Sequence, residues 1–242
     1  MFKRFLLYTL LLCLVPLFAW IFNYHWQGDA NLGAFDHFLY FLTETGSTPY
    51  ALITCVIFGC LCYGLIRQPK QWGLAVAVMI ASMVVTQGIK TGLKIVYAEP
   101  RPYIVAMADT QDNPSQAIDY FYHQDRKQRA LLIQQFYANI DTPNWLILHR
   151  THETGYSFPS GHAMFSASWL FLVVGFSQLY RNRKTTGRVL TVVIGIWAIL
   201  LLISRLRLGM HYPIDVFTSC LIALPIHWAI FTFLQKKGWF KA

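Results

Sequence analysis

Six long apolar segments constrain what this chain can fold into. Each is close to the length of about 20 helical residues that crosses a hydrocarbon core of about 30 Å. They lie at residues 5–24, 49–66, 72–94, 163–180, 189–204 and 214–234. Hydrophobic residues make up 55% of the chain and charged residues 13%, whereas roughly 25% of residues are charged in soluble domains. We therefore predict an all-α integral membrane protein with six transmembrane helices.

The placement of lysine and arginine predicts the orientation of these helices. With both termini in the cytoplasm, the inner ends and short inner loops carry eleven of the 20 basic residues, Lys241 among them, and the first outer loop at 25–48 carries none. This asymmetry follows the positive-inside rule. The net charge of +9 then indicates loops that face anionic lipid. Binding to nucleic acid is disfavoured, because no basic run is long enough to follow a phosphate backbone.

The only sizeable hydrophilic stretch lies between the third and fourth apolar segments. Residues 98–158 form this outer loop, and "QDRKQRALLIQQFYANI" within it has apolar residues at a helical spacing. We expect short helices there that cover the outer membrane face, and another interfacial helix in "FDHFLYFLTET" of the first outer loop. We treat residues 1–242 as one domain with an extracytoplasmic insertion at 98–158.

Three polar clusters fall at the predicted outer ends of the helices. They are "KIVYAEPRP" with Lys94 and Arg101, "PSGH" at 159–162, and "SRLRLGMHYPID" from Ser204 to Asp215. Ionisable groups at membrane depth are costly, so they indicate function by default. Regions more than a hundred residues apart would meet in one layer.

The third cluster contains a histidine and an aspartate four residues apart. If Pro213 begins a helix, Asp215 can reach one nitrogen of His211 and fix its tautomer, which leaves the other nitrogen free to attack or to accept a proton. Taken alone, the pair is equally consistent with a capping aspartate beside an interfacial histidine.

The second cluster has the features of a helix start. Ser160 is a good N-cap, and Gly161 lets a ligand approach the backbone. The free N–H groups and the dipole of the helix would form an anion site, with His162 placed to donate a proton. A capped helix beginning with an interfacial histidine is the simpler interpretation of this stretch alone.

Lys94, Arg101 and Arg205 add positive charge to the same layer. Three cations around a helix N-terminus suit a dianionic phosphoryl group, and arginine offers a bidentate fork. Snorkelling to lipid headgroups accounts for Lys90 and Arg207 but not for two histidines and an aspartate beside them. A phosphate cradle, a nucleophile and a proton donor are the parts that phosphoryl transfer needs.

The three clusters, read as K-x6-R-P, P-S-G-H and S-R-x5-H-x3-D, resemble the signature of the type 2 phosphatidic acid phosphatase family at every position. The resemblance covers nearly the whole chain. The spans and the long outer loop are similar to those of bacterial members that hydrolyse phosphatidylglycerophosphate. The resemblance to this family implies a metal-independent lipid phosphatase without a cofactor, located in the bacterial inner membrane with its active site on the periplasmic side.

The same resemblance implies a role for each signature residue. His211 would be the nucleophile that takes the phosphoryl group, Asp215 would orient it, and His162 would be the general acid that protonates the leaving oxygen. The phosphoryl oxygens would be held by Lys94, Arg101, Ser160, Gly161 and Arg205. The substrate would be a lipid phosphate taken from the bilayer.

Several alternatives stay open at this point. The lipid could be phosphatidylglycerophosphate, phosphatidic acid, its lyso form, diacylglycerol pyrophosphate or undecaprenyl pyrophosphate, and a dedicated undecaprenyl pyrophosphate phosphatase is one alternative. A zinc hydrolase with His162, His211 and Asp215 as ligands is disfavoured by the neighbouring cations, and a lipid transporter is disfavoured because the polar layer lies at one face only. The intact motifs disfavour a non-catalytic scaffold. The six apolar segments disfavour a soluble haloperoxidase.

Overall fold

The computed structural model describes residues 1–240, and the regular structure of these residues is helical without strands. Lys241, one of the predicted cytoplasmic charges, lies outside the described residues. A 3₁₀ turn spans Arg181–Arg183. In chain order the α-helices of this part of the chain are α1 (Phe2–Ile21), α2 (Ala34–Glu44), α3 (Tyr50–Ile66), α4 (Pro69–Tyr97), α5 (Pro102–Ala108), α6 (Pro114–His123), α7 (Arg126–Tyr137), α8 (Asn144–His152), α9 (Gly161–Leu179), α10 (Lys184–Arg207) and α11 (Pro213–Lys237).

Five helices between residues 1 and 240 are long and apolar enough to cross a membrane, namely α1, α4, α9, α10 and α11. The remaining predicted segment, 49–66, corresponds to α3, an apolar helix of 17 residues. The fifth predicted segment, 189–204, was too short, because α10 has 24 residues. The helical hydrogen bonds continue through the basic residues at both of its ends, which an apolar window leaves out.

Helix α9 lies at the centre of the bundle. It packs against α1, α3, α4, α10 and α11, and most of its side chains are buried. Small residues permit this close packing. At Gly175 a Cβ atom would lie 2.4 Å from the Phe231 ring of α11, so a larger side chain there would push α11 away.

The helix directions bring the three polar clusters to one end of the bundle, which we call the site end. Helices α4 and α10 end there, and α9 and α11 begin there. The Ser219 hydroxyl of α11 donates to the carbonyl oxygen of Ser160 at 3.0 Å, which fixes the starts of α9 and α11 against each other.

The predicted helices in the two long loops are confirmed. "FDHFLYFLTET" forms α2, and residues 98–158 contain α5 to α8. The latter helices have their own apolar cluster, which also buries Leu208 and Met210 from the connection between α10 and α11. This cluster therefore anchors the loop helices to the segment that carries His211.

Candidate active site

His211 and Asp215 form a buried pair at the start of α11. Nδ1 of His211 lies 3.2 Å from Oδ2 of Asp215. The same oxygen accepts from the Tyr212 amide at 2.9 Å and from the Ser157 hydroxyl. An ionised carboxylate only accepts hydrogen bonds, so Nδ1 carries the imidazole proton and Nε2 keeps its lone pair. Pro213 does begin the helix, and that start places Asp215 within reach of the imidazole.

The charges around His211 keep its imidazole neutral. Burial, together with the positive charges of Arg101, Arg205 and Lys94, holds the pKa of His211 well below its usual value. A neutral imidazole with Nε2 unprotonated is the form that can attack an electrophile.

His162 lies in the first turn of α9. Its Nε2 is 2.9 Å from the Ser47 hydroxyl and 3.8 Å from a carboxylate oxygen of Glu153. Gly46 leaves room for the ring, because a Cβ there would lie 2.7 Å from Cδ2 of His162. The segment between α2 and α3 therefore contributes to the site, which sequence reasoning did not predict. Only the Gly-Ser pair itself is visible in the sequence, and such pairs are common in turns.

The beginning of α9 has the predicted capping geometry. The Ser160 side chain accepts a hydrogen bond from the Ala163 amide at 3.3 Å. A Cβ at Gly161 would lie 2.9 Å from Cδ of Lys90, so the Lys90 side chain lies against this first turn. The snorkelling interpretation was wrong for Arg207, which forms an ion pair with Asp36 at 2.6 Å.

The three predicted cations surround this helix start. The ammonium of Lys94 donates to the carbonyl oxygens of Tyr156 and Ser157, at 2.9 Å to the latter. Arg101 Nε donates to the Gly155 carbonyl at 2.7 Å. Arg205 is fully buried, and its Nε and Nη2 have no hydrogen-bond partner among the residues that the structure describes. Arg205 thus has two donors available for an anion.

Glu153 lies at the centre of these charges and was not predicted. One of its carboxylate oxygens is 2.8 Å from Nη2 of Arg101 and 3.6 Å from Nη2 of Arg205. Burial opposes ionisation of this carboxyl, but the positive charges led by Arg101 outweigh it and hold its pKa well below the usual value. The carboxylate therefore makes the contacts with these arginines that phosphoryl oxygens would make.

His149 connects Arg205 to a second carboxylate. Nη1 of Arg205 donates to Nε2 of His149 at 3.1 Å, and Nδ1 of His149 lies 2.7 Å from Glu44. Since arginine can only donate, Nε2 is the acceptor and Nδ1 carries the proton. The Thr43 hydroxyl accepts from the same guanidinium nitrogen at 2.8 Å. Helices α2 and α8 thereby fix the orientation of Arg205.

The zinc alternative is not supported by the arrangement of side chains. Among residues 1–240, no three histidine, cysteine, aspartate or glutamate side chains are grouped as ligands for one metal ion. His211 and Asp215 bond to each other, whereas His162 contacts Ser47 and Glu153.

The eight predicted site residues therefore come together at the site end. They are carried by α4, the α4–α5 connection, the start of α9, the end of α10 and the start of α11. His162 and His211 are both influenced by the charges of Arg101, Arg205 and Glu153. The roles assigned to the individual residues stay predictions.

Known proteins resemble this chain over almost its whole length. The PAP2 superfamily matches residues 72–239. Phosphatidylglycerophosphatase B of Haemophilus influenzae is 52% identical over 242 residues, 99% of each chain. The protein of the same name from Escherichia coli is 34% identical, covering 94% of this chain and 86% of its own. Undecaprenyl-diphosphatase BcrC of Bacillus subtilis is 26% identical over 82% of this chain and 74% of its own.

A solved structure has the same fold. The crystal structure of a transmembrane PAP2 type phosphatidylglycerolphosphate phosphatase from Bacillus subtilis superposes with a TM-score of 0.56 over 98% of each chain, at 17% identity. The family match and the relative at 52% identity show that the chain belongs to the PAP2 superfamily and is a phosphatase of that family, and its apolar helices and fold are those of a multi-pass membrane protein.

Proposed function

We propose that this protein hydrolyses a phosphate monoester or pyrophosphate of a membrane lipid through a phosphohistidine intermediate, with phosphatidylglycerophosphate as the first substrate to test. The observation that carries the proposal is neutral His211, bonded to Asp215 and under the electrostatic influence of Arg205, whose Nε and Nη2 have no hydrogen-bond partner among the described residues. The names of the relatives at 52% and 34% identity favour this lipid.

The reaction begins with attack by Nε2 of His211 on phosphorus. An N–P bond forms, the bond from phosphorus to the leaving oxygen breaks, and His162 gives that oxygen a proton. Water then attacks phospho-His211 while His162 takes a proton back, which releases inorganic phosphate and regenerates the neutral imidazole. Asp215 stabilises the positive charge on His211 in both steps.

The phosphoryl oxygens would be bound by Arg101, Arg205, Lys94, the Ser160 hydroxyl and the amide of Gly161. Preorganised donors in a dry site stabilise developing charge strongly. Glu153 has to move away from the arginines or take up a proton when a dianion enters, because two like charges on the same guanidinium groups repel each other. No step requires a metal ion.

We further propose that α3 is the sixth transmembrane helix and that residues 98–158 are an extracytoplasmic insertion in a single domain, 1–242. The 17 residues of α3 extend about 25 Å, which a locally thinned bilayer accommodates. The termini would lie in the cytoplasm of a bacterium and the site end at the periplasmic face of the inner membrane. The basic residues at the opposite end support this orientation.

The test is phosphate release by the purified protein from a panel of lipids in detergent. We expect release from phosphatidylglycerophosphate without added metal and with chelator present. His211→Ala should abolish turnover, whereas His123→Ala, an exposed histidine on α6, should leave it unchanged. Near wild-type turnover by His211→Ala would exclude the assignment of His211 as the nucleophile. Phosphate release in detergent also separates hydrolysis from transport, since no second compartment exists.

A second candidate substrate is undecaprenyl pyrophosphate, favoured by the similarity to a Bacillus subtilis undecaprenyl-diphosphatase. The ratio of kcat/KM for the two lipids in the same panel decides between them. A higher value for undecaprenyl pyrophosphate would reassign the main substrate.

A further inference from the structure

A cavity lies at the end of the bundle opposite the site end, between α1, α9 and α10. It has a volume of about 520 Å³, within the range of roughly 300–1,000 Å³ that small-molecule sites occupy. The site end holds the beginning of α9, and this cavity lies at its last turn, so the two are separated by about 25 Å of helix. Among its lining residues are Lys3, Arg4, Ser177, Lys184 and Arg188.

The charge around this cavity has one sign. Four of the lining side chains are basic and none is acidic. The eleven acidic residues of the chain all lie at 29–44, at 99–153 and at Asp215, which belong to the site end and its loops. Within residues 1–240, the four basic side chains therefore have no carboxylate side chain with which to pair.

Polar groups in the cavity add to the attraction for an anion. The Ser177 hydroxyl of α9 is buried and has no hydrogen-bond partner among the described residues. Helix α10 begins at Lys184 with no side-chain cap, so the positive end of its dipole lies at this end of the bundle. Gly187 allows this turn to approach α9, because a Cβ there would lie 2.7 Å from the Ser177 hydroxyl oxygen.

This combination selects for a particular class of ligand. Basic pockets between transmembrane helices near the membrane surface bind anionic headgroups. A zwitterionic lipid would bring its own cation close to the four basic side chains, and that repulsion disfavours it. The volume admits a phosphate together with its glycerol portion.

We propose that this cavity binds the phosphate and headgroup of an anionic phospholipid, at a site separate from the one that turns over substrate. The general excess of basic residues at this end of the bundle explains why cations lie near the cavity. It does not explain why four basic side chains line one concave space together with Ser177, whose hydroxyl has no hydrogen-bond partner among the described residues. A lipid bound there would contact α1, α9 and α10 at once and stabilise their packing.

The test is thermal unfolding of the purified protein in neutral detergent with added phosphatidylglycerol or phosphatidylcholine. A ligand that binds only the folded state raises Tm with its concentration. We expect phosphatidylglycerol to raise Tm and phosphatidylcholine to leave it unchanged. In Lys184→Gln/Arg188→Gln the apparent affinity for phosphatidylglycerol should fall about tenfold or more, since two of the four basic residues that attract the headgroup are then lost.

The matched control removes two charges from the same end outside the cavity. Lys70→Gln/Lys236→Gln changes exposed residues and should retain the wild-type affinity. Inorganic phosphate alone should shift Tm equally in the wild type and the cavity variant. Equal loss of lipid affinity in both double variants would overturn the proposal. It would also be overturned if the Tm increase caused by inorganic phosphate disappeared in the cavity variant, because that result would indicate a site for free phosphate.

A measurement on the unaltered protein covers the case in which the cavity variant does not fold. Photoreactive phosphatidylglycerol should label peptides from residues 1–8 and 177–191 in excess over photoreactive phosphatidylcholine. Labelling confined to peptides of the site end would overturn the proposal. Neither readout depends on phosphatase activity, so a failure of the proposed function would not be confused with a failure of this site.

Discussion

Two histidines of the site have different surroundings, and these surroundings suit different tasks. His211 donates through Nδ1 to Asp215, which leaves Nε2 as an acceptor. His162 has the Ser47 hydroxyl and the Glu153 carboxylate beside Nε2. We propose that the first imidazole attacks phosphorus and that the second donates the proton.

The acid role of His162 predicts a dependence on the leaving group. His162→Ala should reduce turnover of a lipid phosphate monoester about a hundredfold or more. Turnover of a lipid pyrophosphate should fall less, because the departing phosphate oxygen is a better leaving group than an alcohol. Steady-state kcat with both substrates measures this difference, and His123→Ala serves as the control. Equal losses for the two substrates would argue against general acid catalysis.

The position of Glu153 between two arginines predicts opposite effects on stability and on anion binding. Glu153→Gln removes the charge that compensates Arg101 and Arg205, so the unliganded protein should lose about 3 kcal/mol of unfolding free energy. Inorganic phosphate should then bind about tenfold more tightly, because no carboxylate competes for the guanidinium groups. Thermal unfolding over a phosphate series measures both quantities.

Glu99→Gln is the matched control for that experiment, because Glu99 is exposed in the α4–α5 connection. It should change neither stability nor phosphate affinity. If phosphate affinity in Glu153→Gln equals that of the wild type, Glu153 does not occupy the phosphate position.

Among the helices, α8 supports the candidate site through His149. Its His149 lies between Glu44 of α2 and Arg205 of α10. Neither α2 nor α8 crosses the bundle, yet together they orient a buried guanidinium. The two long loops thus help to build the candidate site.

The buried state of His149 predicts a pH dependence of stability. Burial lowers its pKa, and the opposing effect of Glu44 is smaller. As the pH falls below about 6.5, the usual pKa of histidine, the unfolded chain takes up a proton that folded His149 does not. The free energy of unfolding contributed by this residue therefore decreases toward acid pH and is retained above pH 6.5.

His149→Gln tests this contribution, because glutamine is neutral at all of these pH values. Tm between pH 7.5 and 5.5 should decline less steeply in the variant than in the wild type, with His123→Gln as the control. We also expect kcat/KM to fall about tenfold or more, since Arg205 loses its support and small displacements in a site are costly. Identical pH slopes for variant and wild type would contradict the linkage.

At the scale of the whole molecule, charge is segregated along the bundle. All acidic side chains belong to the site end and its loops, whereas the charged residues at the opposite end are all basic. This asymmetry indicates a fixed orientation in a membrane with a negative inner surface.

The orientation predicts which introduced cysteines a membrane-impermeant maleimide reaches. In a background without the native cysteines, Lys127→Cys on α7 should react in intact spheroplasts of an expressing bacterium. Lys236→Cys at the end of α11 should react only after lysis; both positions are exposed. Reaction of Lys236→Cys before lysis would reverse the proposed topology.

The sequence by itself determined the class of fold and the main chemistry. Apolar segments near 20 residues long require helices in a bilayer, because only helices satisfy their own backbone groups there. The spacing of His211 and Asp215, the Ser160 cap and the basic residues at Lys94, Arg101 and Arg205 are local patterns, so they could be interpreted before any packing was known.

Only the tertiary structure decided what surrounds those residues. Ser47 lies 115 positions before His162, and Glu44 lies 105 positions before His149. A lone glutamate such as Glu153 in a long loop has no local pattern that distinguishes it from a solvated charge. Its contacts with two arginines exist because α4, α8 and α10 end in one layer, which is a consequence of how the helices pack around α9.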